Sequence, residues 1–157
     1  MTDKEFNIFS KEQNFIGNDF FDESFKFWFK DNEHIRTPFP ENIQKKLKEK
    51  TFRIFMEWVY ELTDKEKSDL ENEEIAETFE MILFNQAMEM VEDNEQRITI
   101  SYPFLPRPGD DVDDKEKGPS VVIAREMSVK EDEKKYLKLI LENKTKSRWE
   151  TEFELPA

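Results

Sequence analysis

RITISYPFLPRPGDDVDDKEKGPSVVIAREMSV, Arg97 to Val129, decides the fold, because the apolar period changes within it. Upstream, apolar residues recur at three- and four-residue intervals, the mark of helices. From Ile98 they recur at every second residue. Ile98, Ile100, Tyr102 and Phe104 alternate with Arg97, Thr99 and Ser101, and this predicts a first strand. Val121, Ile123, Met127 and Val129 predict a second, with those residues turned inward. Leu137, Leu139 and Leu141 predict a third. Trp149, Thr151, Phe153 and Leu155, opposed by Arg148, Glu150, Glu152 and Glu154, predict a fourth. Half-apolar strands joined by short turns describe an antiparallel sheet with one solvated face, across which Arg125, Arg148 and the glutamates would form ion pairs.

Working back towards the N-terminus, three helices are expected. Phe21, Phe25, Trp28 and Phe29 form the first stripe, with Asn18 or Asp19 as cap and Asp22 and Glu23 in the first turn, where the helix dipole favours anions. Pro38 and Pro40 break the chain. A long helix then starts near Glu41 and ends near Thr63–Lys67, with Ile43, Leu47, Ile54, Phe55, Trp58 and Leu62 on its apolar face. Ser68 or Asn72 caps a third helix carrying Ile75, Phe79, Ile82, Leu83, Met90 and Val91. Residues 1–17, with Phe6, Ile8 and Phe9, read as an N-terminal arm or short strand. Helices first and strands after give an α+β fold: about three N-terminal helices packed on one face of a roughly four-stranded antiparallel sheet, as a single domain over residues 1–157.

The composition fits a folded chain with a heavily charged surface. Only 36% of residues are apolar, yet they include fifteen Phe and three Trp, and each aromatic ring buries about 150–250 Å². Lys plus Arg is 24 and Asp plus Glu is 37, a formal charge of −13. Such a surface repels nucleic acid and anionic lipid and steers basic partners towards itself. No stretch approaches the ~20 apolar residues of a membrane span, and the N-terminus lacks a signal-peptide pattern. A soluble, cytoplasmic protein is the expectation.

The residue inventory excludes several chemistries. With no cysteine, thiol catalysis, disulfides and cysteine-based metal sites are out. The three glycines, Gly17, Gly109 and Gly118, are too far apart for a phosphate-cradling loop. His34 is the sole histidine, in a polar stretch without a nucleophile elbow nearby, so it reads as a surface residue. Glu73, Glu77 and Glu80 share a helix face, but no histidine follows at the spacing of a di-metal bundle, and a solvated face is expected. Met81, Met88 and Met90 read as core filler. No cofactor and no metal is implied.

Two surfaces carry the functional expectation. The segment Pro103–Pro119 holds four of seven prolines, two of three glycines, and Asp110, Asp111, Asp113 and Asp114 around Val112. It reads as a long acidic Pro-rich loop over residues 103–119. Three roles compete for it: a solvated connector, a calcium loop, and a docking loop for a basic partner. The aspartate spacing does not match an EF-hand, which needs glycine at its sixth position and glutamate at its twelfth. The second surface is basic: Lys45, Lys46, Lys50 and Arg53, with Lys48, in the front half of the long helix. They pair with acids elsewhere in the fold, or bind an anion. The reading that follows is a non-enzymatic, acidic cytosolic binding protein that docks a basic macromolecule, in the manner of an immunity protein or a dedicated chaperone. One alternative is an enzyme or small-ligand binder with a pocket between helices and sheet, using acids, an arginine and Tyr60, Tyr102 or Tyr136. Another is a homo-oligomeric module that pairs through exposed aromatic residues of the Phe-rich N-terminal third.

Overall fold

A computed structural model of the chain describes residues 20–31 and 36–156. Residues 1–17, the Asn18/Asp19 cap and His34 lie outside the described residues. The chain forms two compact units that divide between Pro103 and Phe104, and each is taken by itself.

The first unit is helical, with five helices among the described residues where about three were expected: α1 (Phe20–Phe29), α2 (Glu41–Glu61), α3 (Asp64–Asp69), α4 (Asn72–Met90) and α5 (Asn94–Ser101). The two extra helices are short and locally capped. Thr63 does not end the long helix but starts α3. Its hydroxyl accepts from the Glu66 N–H while the Glu66 carboxylate accepts from the Thr63 N–H, a reciprocal capping box. α4 has Glu71 at its N-cap and Asn72 as its first helical residue, so neither Ser68 nor Asn72 caps it.

α5 overturns the expected first strand. Asp93 accepts from the Glu95 N–H and caps the helix start. The Thr99 hydroxyl bonds back to the Glu95 carbonyl, one turn earlier. The Arg97 guanidinium donates to the Val91 carbonyl at 3.1 Å and satisfies the end of α4. Ile98 and Ile100 are both buried. In a helix they lie about 200° apart, so burial on two sides of a short helix imitates the alternation of a strand.

The core of this unit is a lattice of rings. Phe55 from α2 and Phe79 from α4 are fully buried, and their centroids stand 5.5 Å apart in a T-shaped contact. Phe20 packs on both, at 5.6 and 5.4 Å, and Phe21 and Phe25 from α1 also meet Phe79. Phe39, Trp28 and Phe84 form a second group. Quadrupoles favour such edge-to-face contacts over flat stacking. The described N-terminal rings therefore pack largely on one another, although Phe27 is exposed.

The second unit is a four-stranded antiparallel meander: β1 (Asp111–Asp114), β2 (Gly118–Val129), β3 (Lys135–Asn143) and β4 (Arg148–Glu154), in sheet order β1-β2-β3-β4. The strand count matches expectation, but the first strand lies inside the expected acidic loop. Aspartate is a poor strand former, and the ends of the strand supply the reason it forms. Gly109, at φ +94°, sends its N–H to the Val122 carbonyl, while the Val122 N–H bonds the Asp110 carbonyl. Two residues thus oppose one, a bulge that needs glycine's freedom at positive φ. At the other end the Asp114 carboxylate accepts from the N–H groups of Glu116 and Lys117 and closes the turn before Gly118, at φ +75°. Pro119 stands opposite Asp113, a position where alternation asks no ladder donor of it towards β1.

A second irregularity falls in β2. Val122 pairs with Leu141 but Ala124 pairs with Ile140, so Ile123 is an extra residue. Every side chain after it changes face. Val122, Leu137, Leu139 and Leu141 are buried, as the third strand's pattern requires. Val121 and Ile123 are exposed, against the expected inward set, while Met127, opposite buried Leu137, and Val129 keep the inward face but are exposed near the end of the strand. Arg125 sits opposite Leu139 and is buried rather than on the polar face, its Nη1 donating to the Pro106 carbonyl at 2.8 Å. Cross-strand ion pairs do form, but mostly between other partners than expected: Lys138 with Glu126 at 3.3 Å, Arg148 with Glu142 at 3.5 Å, and Lys130 with Glu152 near the end of the sheet.

Phe79→Ala removes a ring that touches four others and is expected to destabilise the helical unit by about 3–5 kcal/mol. Met81→Ala, an exposed change on the same helix, should stay within about 0.5 kcal/mol. Urea titration followed by far-UV circular dichroism measures both.

Candidate functional site

The four aspartates of the acidic segment divide into two pairs. Asp110 and Asp114 are held by backbone. Asp110 accepts from the Arg107 N–H at 2.8 Å and Asp114 closes the hairpin turn. Those two N–H bonds hold the Asp114 carboxyl below its ordinary value of 3.8. Asp111 and Asp113 are exposed and take no side-chain partner among the described residues. Two positions apart on one strand, they lie on the same face, and the register places Asp111 in a row with Val121 and Glu142 across three strands.

These residues bound a cleft of about 660 Å³. Asp111 and Asp113 form one wall, Val121 and Ile123 supply apolar surface, and Glu142 and Lys144 stand on the far side. A hydrated acidic rim beside exposed branched aliphatic side chains suits a long cationic side chain, whose methylenes lie on the apolar part while its head meets the carboxylates. Calcium chelation needs more carboxylate oxygens than converge here, since Asp110 and Asp114 are used by the turns. Among the described residues no three His, Cys, Asp or Glu side chains gather as a metal site would require.

The basic residues of α2 do not form one patch. Lys46, Lys50 and Arg53, at spacings of four and three, share a helix face, while Lys45 points elsewhere. Lys50 Nζ lies 3.7 Å from Glu89 of α4, and Lys48 Nζ stands 5.5 Å from the Phe25 ring centre. Arg53 also has an interaction partner. On α4, Glu80 is pushed upward first by partial burial and then by the charge of Glu77.

The tyrosines proposed for a pocket sit apart in kind. Tyr60 is exposed on α2 and Tyr102 is the C-cap of α5. Tyr136 of β3 donates its hydroxyl to Asp132 at 2.7 Å, with Lys130 Nζ 4.3 Å from its ring centre. This lock on the β2–β3 turn left no signal in the sequence, because Asp132 lies in a run of charges where any carboxylate looks alike. The bond to Asp132 pushes the Tyr136 phenol up to about 12, and the bond from Tyr136, with the Lys134 N–H, lowers Asp132 below 3.8.

No helix among the described residues is long and apolar enough to cross a membrane. The chain matches no family model, no curated protein and no solved structure, so its site stands on its own geometry.

The two shifts set opposite limits on the turn lock. Asp132 has a lowered folded pKa, so its contribution is present above about 3.8 and is lost as pH falls through the folded value. Tyr136 has a raised one, so its contribution is complete below 10.0 and disappears as pH rises through about 12. In a Tyr60→Phe, Tyr102→Phe background, Asp132→Asn is expected to bring the Tyr136 ionisation from about 12 back towards 10, read by tyrosinate absorbance.

Proposed function

We propose that this protein is a non-enzymatic cytoplasmic binding module that docks a basic macromolecular partner, a protein segment bearing Lys or Arg, through the cleft beside β1. The observation that carries the reading is the pairing of two carboxylates without a side-chain partner among the described residues, Asp111 and Asp113, with the exposed apolar surface of Val121 and Ile123 beside them. Charge alone would attract any cation. The apolar surface adds preference for a side chain with a long aliphatic stem. The net charge of −13 steers such a partner at long range and raises its encounter rate at low salt. The basic residues of α2 contribute to the helical unit's own ion pairs in this reading, through Lys50 and Glu89.

A second reading, a small-ligand site or enzyme, draws on the same cleft, whose volume of about 660 Å³ is in the range of small-molecule pockets. It is weaker because catalytic acids and bases are tuned by desolvation, and Asp111 and Asp113 are exposed.

The test is titration of a short peptide of alternating Lys and Val, with capture from the source cell's lysate alongside. Asp111→Asn with Asp113→Asn is expected to weaken peptide binding by roughly tenfold or more, about 1.4 kcal/mol, and to release the captured partner. Added salt should weaken the wild-type complex. The control Asp22→Asn with Glu23→Asn makes the same charge change on α1. Equal loss in both variants would reduce the effect to net charge, and absence of any salt-sensitive partner would end the docking reading.

A further inference from the structure

We propose that the outer edge of β2, Glu126 to Val129, pairs with the same edge of a second copy of this chain, antiparallel and with Ser128 on the twofold axis. This surface lies beyond the cleft assigned to partner docking and stands independently of it.

The lengths of the strands create the edge. β1 pairs only with Gly118–Val121, while β2 continues to Val129. Among the described strands, nothing pairs with the outer side of β2 after the bulge at Ile123. Arg125 is anchored to the Pro106 carbonyl and is 6% exposed, so the open part begins at Glu126. Met127 and Val129 there are 44% and 64% exposed. An accessible strand edge with apolar side chains is a template for another strand.

The direction of the backbone groups restricts the register. The Lys130 N–H bonds the Lys134 carbonyl, so alternation turns the backbone of Glu126, Ser128 and Lys130 towards β3 and that of Met127 and Val129 outward. Two antiparallel copies must match outward residues with outward residues. Matching Met127 with Met127 would set Val129 against the buried, anchored Arg125. Matching Met127 with Val129 sets Ser128 opposite Ser128 and Glu126 opposite Lys130, all on the open part of the edge. Met127 and Val129 of each copy then exchange four backbone hydrogen bonds in total. Two apolar pairs lie on one face and two opposite-charge pairs on the other. Lys130 already holds Glu152 within its own chain, and Glu126 holds Lys138 at 3.3 Å. The new pairs extend an alternating row of charge rather than replacing it. Matching Val129 with Val129 would set Met127 against Glu131 in the turn beyond the strand. Of the three registers that its outward residues permit, only the one with Ser128 on the axis keeps every pair on the open edge and sets opposite charges together.

The absence of cysteine makes the register directly readable. Opposed residues at a non-hydrogen-bonded antiparallel pair have Cα atoms about 4.5 Å apart, within the span of a disulfide. With oxidised glutathione as the two-electron oxidant, Ser128→Cys is expected to form a covalent dimer. Thr145→Cys, exposed on the β3–β4 turn, should stay monomeric. Glu126→Cys and Lys130→Cys should each fail alone and cross-link when mixed. Sedimentation of the wild type should show a concentration-dependent dimer. Met127→Pro removes an outward donor from each copy without touching the β2–β3 ladder. The dimer loses two hydrogen bonds, which should weaken association at least about tenfold, with an unchanged circular dichroism spectrum. Cross-linking of Ser128→Cys no faster than of Thr145→Cys would overturn the pairing. So would a monomer in which the Met127 and Val129 amides are protected from exchange, since another segment would then occupy the edge.

Discussion

One extra residue in β2 governs the sheet. Because side chains alternate strictly along a strand, the insertion of Ile123 between Val122 and Ala124 reverses the facing of everything that follows. Before it, Val122 turns to the buried side with Leu141. After it, the same side receives Arg125 opposite Leu139. A buried guanidinium needs acceptors, and the Pro106 carbonyl at 2.8 Å is one of them. The bulge therefore couples the segment leading into β1 to the middle of β2. It also delivers Met127 and Val129, rather than Glu126 and Ser128, with outward backbone groups at the open edge.

The acidic segment is the second consequence of local geometry. A run of aspartates looks like a solvated loop, and its composition has no preference for a strand. It becomes one because Gly109 supplies a left-handed residue at one end and Asp114 caps the turn at the other. The intervening Asp111 and Asp113 are left on one face by alternation alone. A carboxylate pair of this kind is a product of the hairpin. Neither residue would be distinguishable from Asp110 or Asp114 by charge or by sequence position.

The helical unit has a different logic. Few apolar residues must fill its core, and aromatic rings make the contacts that join its helices. Phe55 and Phe79, fully buried and 5.5 Å apart, join the two long helices, and α1 adds Phe20, Phe21 and Phe25 around them. The periodicity of α2 and α4 was legible because both are long enough for a stripe to repeat several times. Over the eight residues of α5 only two buried positions occur, and two points do not distinguish a period of 3.6 from one of 2.

The amino-acid sequence by itself determined the classes of element and their order. Stripes of Phe, Ile and Leu specify the long helices, alternating Leu137, Leu139 and Leu141 specify β3, and the single histidine and absent cysteine remove whole families of chemistry. These properties are local, or are counts, and need no partner to be read. Tertiary structure alone decided the rest. It placed β1 inside the aspartate run, since a strand of poor propensity exists only against a neighbour. It turned Ile98 and Ile100 into a helix, since burial on two sides is a property of surroundings. It selected Asp111 and Asp113 from four equivalent aspartates and opened the edge of β2, because facing, register and exposure are relations between strands that no single stretch of residues contains.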